Sequence, residues 1–234
     1  MIPIDNIIKT RKTQKILSST HLPIDKNPEK VHSVINELLE LASSAPYHKK
    51  CNNKHTSNQE LNSCLPWRCY VLDSLNCRSL SNLLVEKDIK SGKINEMLAA
   101  SDVLMLVTWL PEPVETNKDV NIGLFNGNLQ NMEHIAAASA AIQNILLGAT
   151  ARKLPNYWSS GGILRNEQMK KILDIPLDEI LLGAIFIFPE KVDKDKTLIK
   201  TGALRQYGKE INTWSKWIAI NNDEQLQNSK ASGG

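Results

Sequence analysis

The sequence predicts an α+β sandwich in which helices outweigh strands, on three observations. Strand-like runs are few: Trp67 to Leu72, Val103 to Trp109 and Ile180 to Phe188. They do not alternate strictly with helices, so the pattern is not that of a doubly wound sheet. No G-x-G-x-x-G follows any of them, which argues against a Rossmann dinucleotide site. At 234 residues the chain can bury a sizeable core, and no internal repeat or linker divides it. One domain over 1–220 is expected, followed by a polar, disordered tail at 221–234.

Composition narrows the function. Hydrophobic content of 41% and charged content of 23% are those of an ordinary globular protein. A net charge of +3 without a Lys/Arg-dense run implies no nucleic-acid partner. The N-terminus shows neither a long apolar core nor a small-residue cleavage site, so the expected compartment is the cytoplasm. The 4 cysteines, Cys51, Cys64, Cys69 and Cys77, would stay reduced there. His48, Cys51, His55 and Cys64 match no standard zinc spacing, and no metal is expected.

Residues 3–17 read as a helix, with Pro3 near its start and Ile4, Ile7, Ile8, Ile16 and Leu17 apolar. A second helix over 29–43 turns Val31, Val34, Ile35, Leu38, Leu39 and Ala42 to one face. Ala45-Pro46 ends it, because the residue before a proline is pushed out of helical geometry. Tyr47 to Leu65 is polar and aperiodic, a long surface loop of the kind that is functional or disordered. Trp67 to Leu72 is a strand and Leu75 to Ile89 a helix. Val103 to Trp109 is apolar at nearly every position, as a strand buried on both faces would be. Pro111 to Asn128 is a proline-bearing loop. Asn166 to Leu173 gives a short helix, Ile180 to Phe188 a second fully apolar strand, and 190–203 an extended connector. Gly208 to Ile220 closes the folded part.

The longest element begins near Asn131. From Ile135 to Ala151 no residue is charged, and Ser139, Gln143 and Thr150 form a thin polar line on one helical face. Ala136, Ala137, Ala138, Ala140, Ala141, Gly148, Ala149 and Ala151 are small enough to let other backbones approach. The run reaches the lower edge of membrane-span length. Ser, Gln and Asn inside it argue for a protein interior, so a buried central helix and no membrane are expected. A short break leads to Tyr157-Trp158-Ser159-Ser160-Gly161-Gly162.

Two stretches invite a ligand. Arg11, Lys12, Thr13 and Lys15 bring cations and a hydroxyl together closely enough to surround one phosphate, the guanidinium as a fork and the ammonium as a point charge. Taken alone, such a run more often marks a solvated helix face. Gly161 and Gly162 let backbone approach a flat ligand, although an ordinary helix-to-loop break suits them equally. No Ser–His–Asp set or carboxylate pair stands at meaningful spacing, so no catalytic side chain is assigned.

Together, TRKTQK, ASSAP…LPWRCYVL and NMEHIAAASAAIQNILLGATARKLPNYWSSGG resemble, in order, the FMN-dependent nitroreductase family. The likeness is to its short branch, which carries Ala-Pro-x-His-Lys and Trp-x-Ser-Gly. It implies a central, mostly antiparallel sheet flanked by helices around the long buried helix. It further implies an NAD(P)H oxidoreductase that reduces nitroaromatics, quinones or similar electron-poor small molecules by a ping-pong mechanism, with NADPH or NADH as donor. The protein would be a homodimer with FMN at the subunit interface. By the same resemblance Arg11, Lys12, Thr13 and Lys15 grip the FMN phosphate, with Arg205 as a second phosphate-binding arginine. Pro46, Tyr47 and His48 would lie beside the isoalloxazine ring, usually that of the other subunit, and His48 could donate a hydrogen bond there. Trp158, Ser159, Ser160, Gly161 and Gly162 would offer backbone N–H groups to the reactive edge of the ring. Pro66 belongs to the Pro-Trp-Arg start of a strand, whose Trp67 is expected in the core.

The chain departs from that pattern just before Pro66. The family's Asn-x-Gln-Pro-Trp reads Ser63-Cys64-Leu65-Pro66-Trp67, and only a one-residue shift would bring in Asn62. The missing amides and the long 47–65 loop leave open an alternative, a flavin-binding regulatory or storage module without efficient turnover.

Overall fold

Along the chain the elements are α1 (Ile4–Thr10), β1 (Gln14–Leu17), α2 (Pro28–Ser43), β2 (Trp67–Asp73), α3 (Ser74–Glu86), α4 (Ile94–Ala100), β3 (Val103–Trp109), α5 (Leu129–Ala151), β4 (Asn156–Ser159), α6 (Glu167–Ile172), β5 (Ile180–Ile187) and β6 (Leu198–Thr201). Short 3-10 turns stand at Asn53–Thr56, Gly162–Arg165 and Ile211–Thr213. The computed structural model describes residues 3–24, 27–57, 60–113, 127–204 and 207–218. Arg205, the tail 221–234 and most of the 111–128 loop lie outside the described residues. The chain divides into two units, Met1–Thr201 and Gly202–Gly234, and α1 through β6 all belong to the first.

The main sheet is antiparallel throughout, in the order β2-β3-β5-β4, and β1 pairs with β6 in a separate two-stranded ribbon. β3 is buried at every position, as its unbroken apolar run requires of a strand covered on both faces. Its alternate residues feed two cores. Val103, Met105, Val107 and Trp109 pack with Ile35 and Leu38 of α2 and with Ala138, Ala141, Ile142 and Ile145 of α5. Leu104 and Leu106 face the opposite way, toward Leu80 and Leu84 of α3, Met97 and Leu98 of α4, and Ile16 of β1. The result is the expected α+β sandwich.

Local chemistry starts the helices where they start. Side-chain oxygens of Asn27, Asp73, Asn128 and Asn166 accept from the backbone N–H groups of Lys30, Asn76, Asn131 and Met169. Each satisfies a donor that the first helical turn leaves unpaired. The length and composition of α5 would suffice to cross a membrane, but one face of it, with Ala138, Ala141, Ile142, Ile145 and Ala149, is buried against the sheet and α2. Gly148 shows why a small residue is needed: an added Cβ would stand 2.5 Å from Leu41 Cδ1 and 2.8 Å from Leu38 Cδ2. The pair is tied further by Asn144 Nδ2 donating to the Leu41 carbonyl at 2.9 Å and by Arg152 bonding Glu37.

Several local expectations need correction. Residues 3–17 are not one helix. α1 stops at Thr10, Arg11 takes an extended ψ of 126°, and Gln14–Leu17 pair as a strand with Leu198–Thr201. The connector over 190–203 therefore contains a strand. α4 fills the stretch before β3, where no element was expected. The segment after α5 opens as the edge strand β4, so Tyr157, Trp158 and Ser159 belong to the sheet. The 47–65 loop is also more than surface, because Cys51 and His55 are buried within it.

Candidate functional site

Strand register gathers cations that the sequence scatters. Lys15 of β1 lies opposite Lys200 of β6, so both side chains leave the ribbon on the same face. Lys93, at the start of α4, joins them. Burial holds the Lys15 ammonium below its ordinary range, and Lys93 pushes it the same way against Glu96. The exposed Lys200 is lowered chiefly by the close approach of Lys93, with Lys15 contributing and Glu96 opposing. Lys15 Nζ also stands 5.2 Å from the centroid of the Tyr157 ring, within cation–π range.

The same locality holds the glycine turn. β1 packs against β4, and a Cβ added to Gly162 would meet Ile94 Cγ1 at 3.6 Å, one residue from Lys93. Thus Lys15, Lys93, Lys200 and the Tyr157–Gly162 stretch border one region. Thr13 is half-buried just before β1, Lys12 is exposed, and Arg11 ends α1 with its N–H donating to the Ile7 carbonyl at 2.9 Å.

Packing explains much of the turn's composition. Gly161 has φ +102° and Gly162 φ +51°, the left-handed region that glycine tolerates. A Cβ on Gly161 would press Leu181 Cδ2 at 2.7 Å, and Gly183 leaves the space that the Trp158 indole fills. The buried Ser159 hydroxyl accepts from the Gly161 N–H at 3.2 Å. Ser160 is exposed, with its carbonyl bonded to Arg165 Nε. The Gly161 donor is thereby directed inward, to Ser159.

Pro46, Tyr47, His48 and Pro66 stand at the other edge of the sheet. Tyr47 meets the buried Trp67 edge-on, ring centroids 6.0 Å apart, and its hydroxyl reaches Cys64 Sγ at 3.6 Å. Pro66 is buried, whereas Pro46 and His48 are exposed. β2 and β4 are opposite edges with β3 and β5 between them, about 14 Å apart at ordinary strand spacing. A single chain therefore does not bring His48 to the glycine turn along its own sheet.

Sequence reasoning missed a polar cluster at the Trp67 end. Arg68 is buried and donates to the carbonyls of His55, Ser63, Leu65 and Trp67 at 2.9–3.0 Å. His55 Nε2 bonds the Pro111 carbonyl at 2.9 Å, and Nδ1 faces Asp178 at 3.7 Å. Glu179 is buried, accepting from Tyr70 Oη at 2.9 Å and from Thr108 Oγ1. Burial raises its carboxyl pKa, while those two hydroxyls and Arg68 pull it down. The one available signal was Thr108, a hydroxyl inside an otherwise apolar strand. No group of three or more metal-ligating side chains occurs among the described residues.

No protein-family model matches the sequence, and no curated protein matches it. Solved structures do match in shape. The chain is similar to a nitroreductase-like family protein from Bacillus cereus at 20% identity and a TM-score of 0.54, covering 88% of this chain and 94% of that one. It is similar to NfrA1 of B. megaterium at 16% identity and a TM-score of 0.55, covering 98% and 80%. A Desulfovibrio desulfuricans protein solved in complex with FMN aligns at 18% identity and a TM-score of 0.50, covering 83% and 91%. With an antiparallel four-stranded sheet between two helical layers and these likenesses, the chain has the nitroreductase-like fold.

Proposed function

We propose that the protein is an FMN-dependent NAD(P)H oxidoreductase acting on small electron-poor molecules such as nitroaromatics or quinones. The observation that carries this reading is the crowding of Lys15, Lys93 and Lys200 beside the Tyr157–Gly162 stretch. Neighbouring ammonium groups repel, and an anion held among them reverses the sign of that interaction. The FMN phosphate is the anion proposed, and the FMN-bound structure of like fold supports the choice. Bound FMN would supply the redox chemistry, taking reducing equivalents from NADPH or NADH and passing them to the second substrate in alternating half-reactions.

The residues of the chain would hold and orient it. Arg11, Lys12 and Thr13 extend the cationic edge that begins at Lys15, and Arg205 is proposed as a further phosphate ligand. Trp158, Ser159, Ser160, Gly161 and Gly162 would border the ring. The left-handed backbone of Gly161 and Gly162 and the packed Trp158 favour a rigid edge. Pro46, Tyr47, His48 and Pro66, on the far sheet edge, are assigned to the ring held by the partner of a homodimer. Exposed Ile4 and Ile8 on α1, which packs against α5, and exposed Leu129 and Met132 at the start of α5 supply apolar surface for such a partner.

Anaerobic addition of NADPH or NADH to the FMN-loaded protein tests the reading. The flavin absorbance should bleach and return on adding a nitro compound or quinone. Flavin that binds but is neither bleached nor reoxidised would favour the storage or regulatory module; a protein that binds no FMN would overturn both.

A further inference from the structure

Cys51 and Cys64 face each other across the neck of the polar loop between α2 and β2. The Cys51 N–H donates to the Cys64 carbonyl at 3.0 Å, and Cys51 Sγ leans over the same segment, donating to the Ser63 carbonyl at 3.6 Å. This bond holds the two main chains in direct contact at the two cysteines, and disulfides join residues whose Cα atoms lie about 4.4–6.8 Å apart. Cys51 is buried and Cys64 half-buried; both are free thiols. Burial raises the Cys51 thiol, the nearby Arg68 guanidinium favours its thiolate, and Cys64 lies close enough to oppose it. The other two cysteines are poorer candidates. Burial pushes both Cys69, in β2, and Cys77, in α3, up to about 12, which leaves little thiolate to react.

We propose that Cys51 and Cys64 form a reversible disulfide that staples the neck of this loop and draws Cys64 away from the Tyr47 hydroxyl. The oxidant is a small-molecule disulfide. The more accessible Cys64 thiolate attacks one of its sulfurs, releasing one small thiol and leaving a mixed disulfide. The Cys51 thiolate then attacks Cys64 Sγ and expels the second. Two protein thiols lose two electrons and two protons; the oxidant gains both and becomes two thiols. This assignment stands on the loop alone and does not depend on the flavin.

The test uses the full-length protein equilibrated with oxidised glutathione, then alkylated, cleaved with trypsin and read by mass spectrometry. Cleavage after Lys50, Lys54 and Arg68 places Cys51 in peptide 51–54, Cys64 in 55–68, and Cys69 with Cys77 in 69–78. The expected result is the loss of two of the 4 free thiols, with 51–54 joined to 55–68, and recovery of both thiols on adding dithiothreitol. In Cys64→Ser the joined species should vanish with no other protein disulfide replacing it. Four alkylated cysteines after oxidation, a stable glutathione adduct on Cys64 without closure, or a link to Cys69 or Cys77 would each overturn the proposal.

Discussion

Glu179 carries an ionisable group into the sheet core, its two carboxyl oxygens taken by Tyr70 and Thr108. Burial outweighs those donors, so its folded pKa lies above the unfolded value, about 4.3 for a glutamate. A raised folded pKa means that Glu179 stabilises fully below the unfolded value and loses that contribution as pH rises through the folded one. Glu179→Gln cannot titrate. Relative to the native chain it should therefore cost most stability near pH 5 and progressively less toward pH 7.5, as read by urea midpoints. A cost that grows over the same interval would contradict the burial argument. The basic site also depends on single residues: Lys93 and Lys200 are ordinary lysines in sequence, and only strand register and the start of α4 set them beside Lys15.

The loop between α2 and β2 hangs largely on one side chain. Arg68 bonds four carbonyls and His55 a fifth group, the Pro111 carbonyl. A lysine at 68 has the charge but not the planar fork that satisfies several acceptors at once. Arg68→Lys should leave the sheet folded yet speed tryptic cleavage after Lys49, Lys50 and Lys54 severalfold; native-like protection of those bonds would show that the loop is held otherwise. Elements were legible in the sequence where their partners are local or their pattern is long. β3 and α5 declared themselves through unbroken apolar runs, and α2 through helical periodicity. β1 did not. Its Ile16 and Leu17 fit a helical extension of α1 until Leu198–Thr201, at the far end of the first unit, supplies the pairing. β4 was hidden for the same reason, since its short stretch becomes a strand only against β5.

Over the whole molecule, the sheet divides the candidate site into two parts. The cationic ribbon and the glycine turn meet at the β4 edge, while Tyr47 and His48 sit beside β2 at the other. The proposed homodimer would account for this division by letting one chain hold the phosphate and turn side while the other offers its loop. The central claim is that the Lys15, Lys93 and Lys200 group binds the phosphate of the flavin. Titrating apoprotein with FMN and with riboflavin, followed by quenching of flavin fluorescence, tests it directly, because the two ligands share the ring and differ in the phosphate. FMN should bind at least about tenfold more tightly, a difference of about 1.4 kcal/mol, and Lys15→Ala should shrink that gap. Equal affinities, or a gap unchanged by Lys15→Ala, would contradict the account.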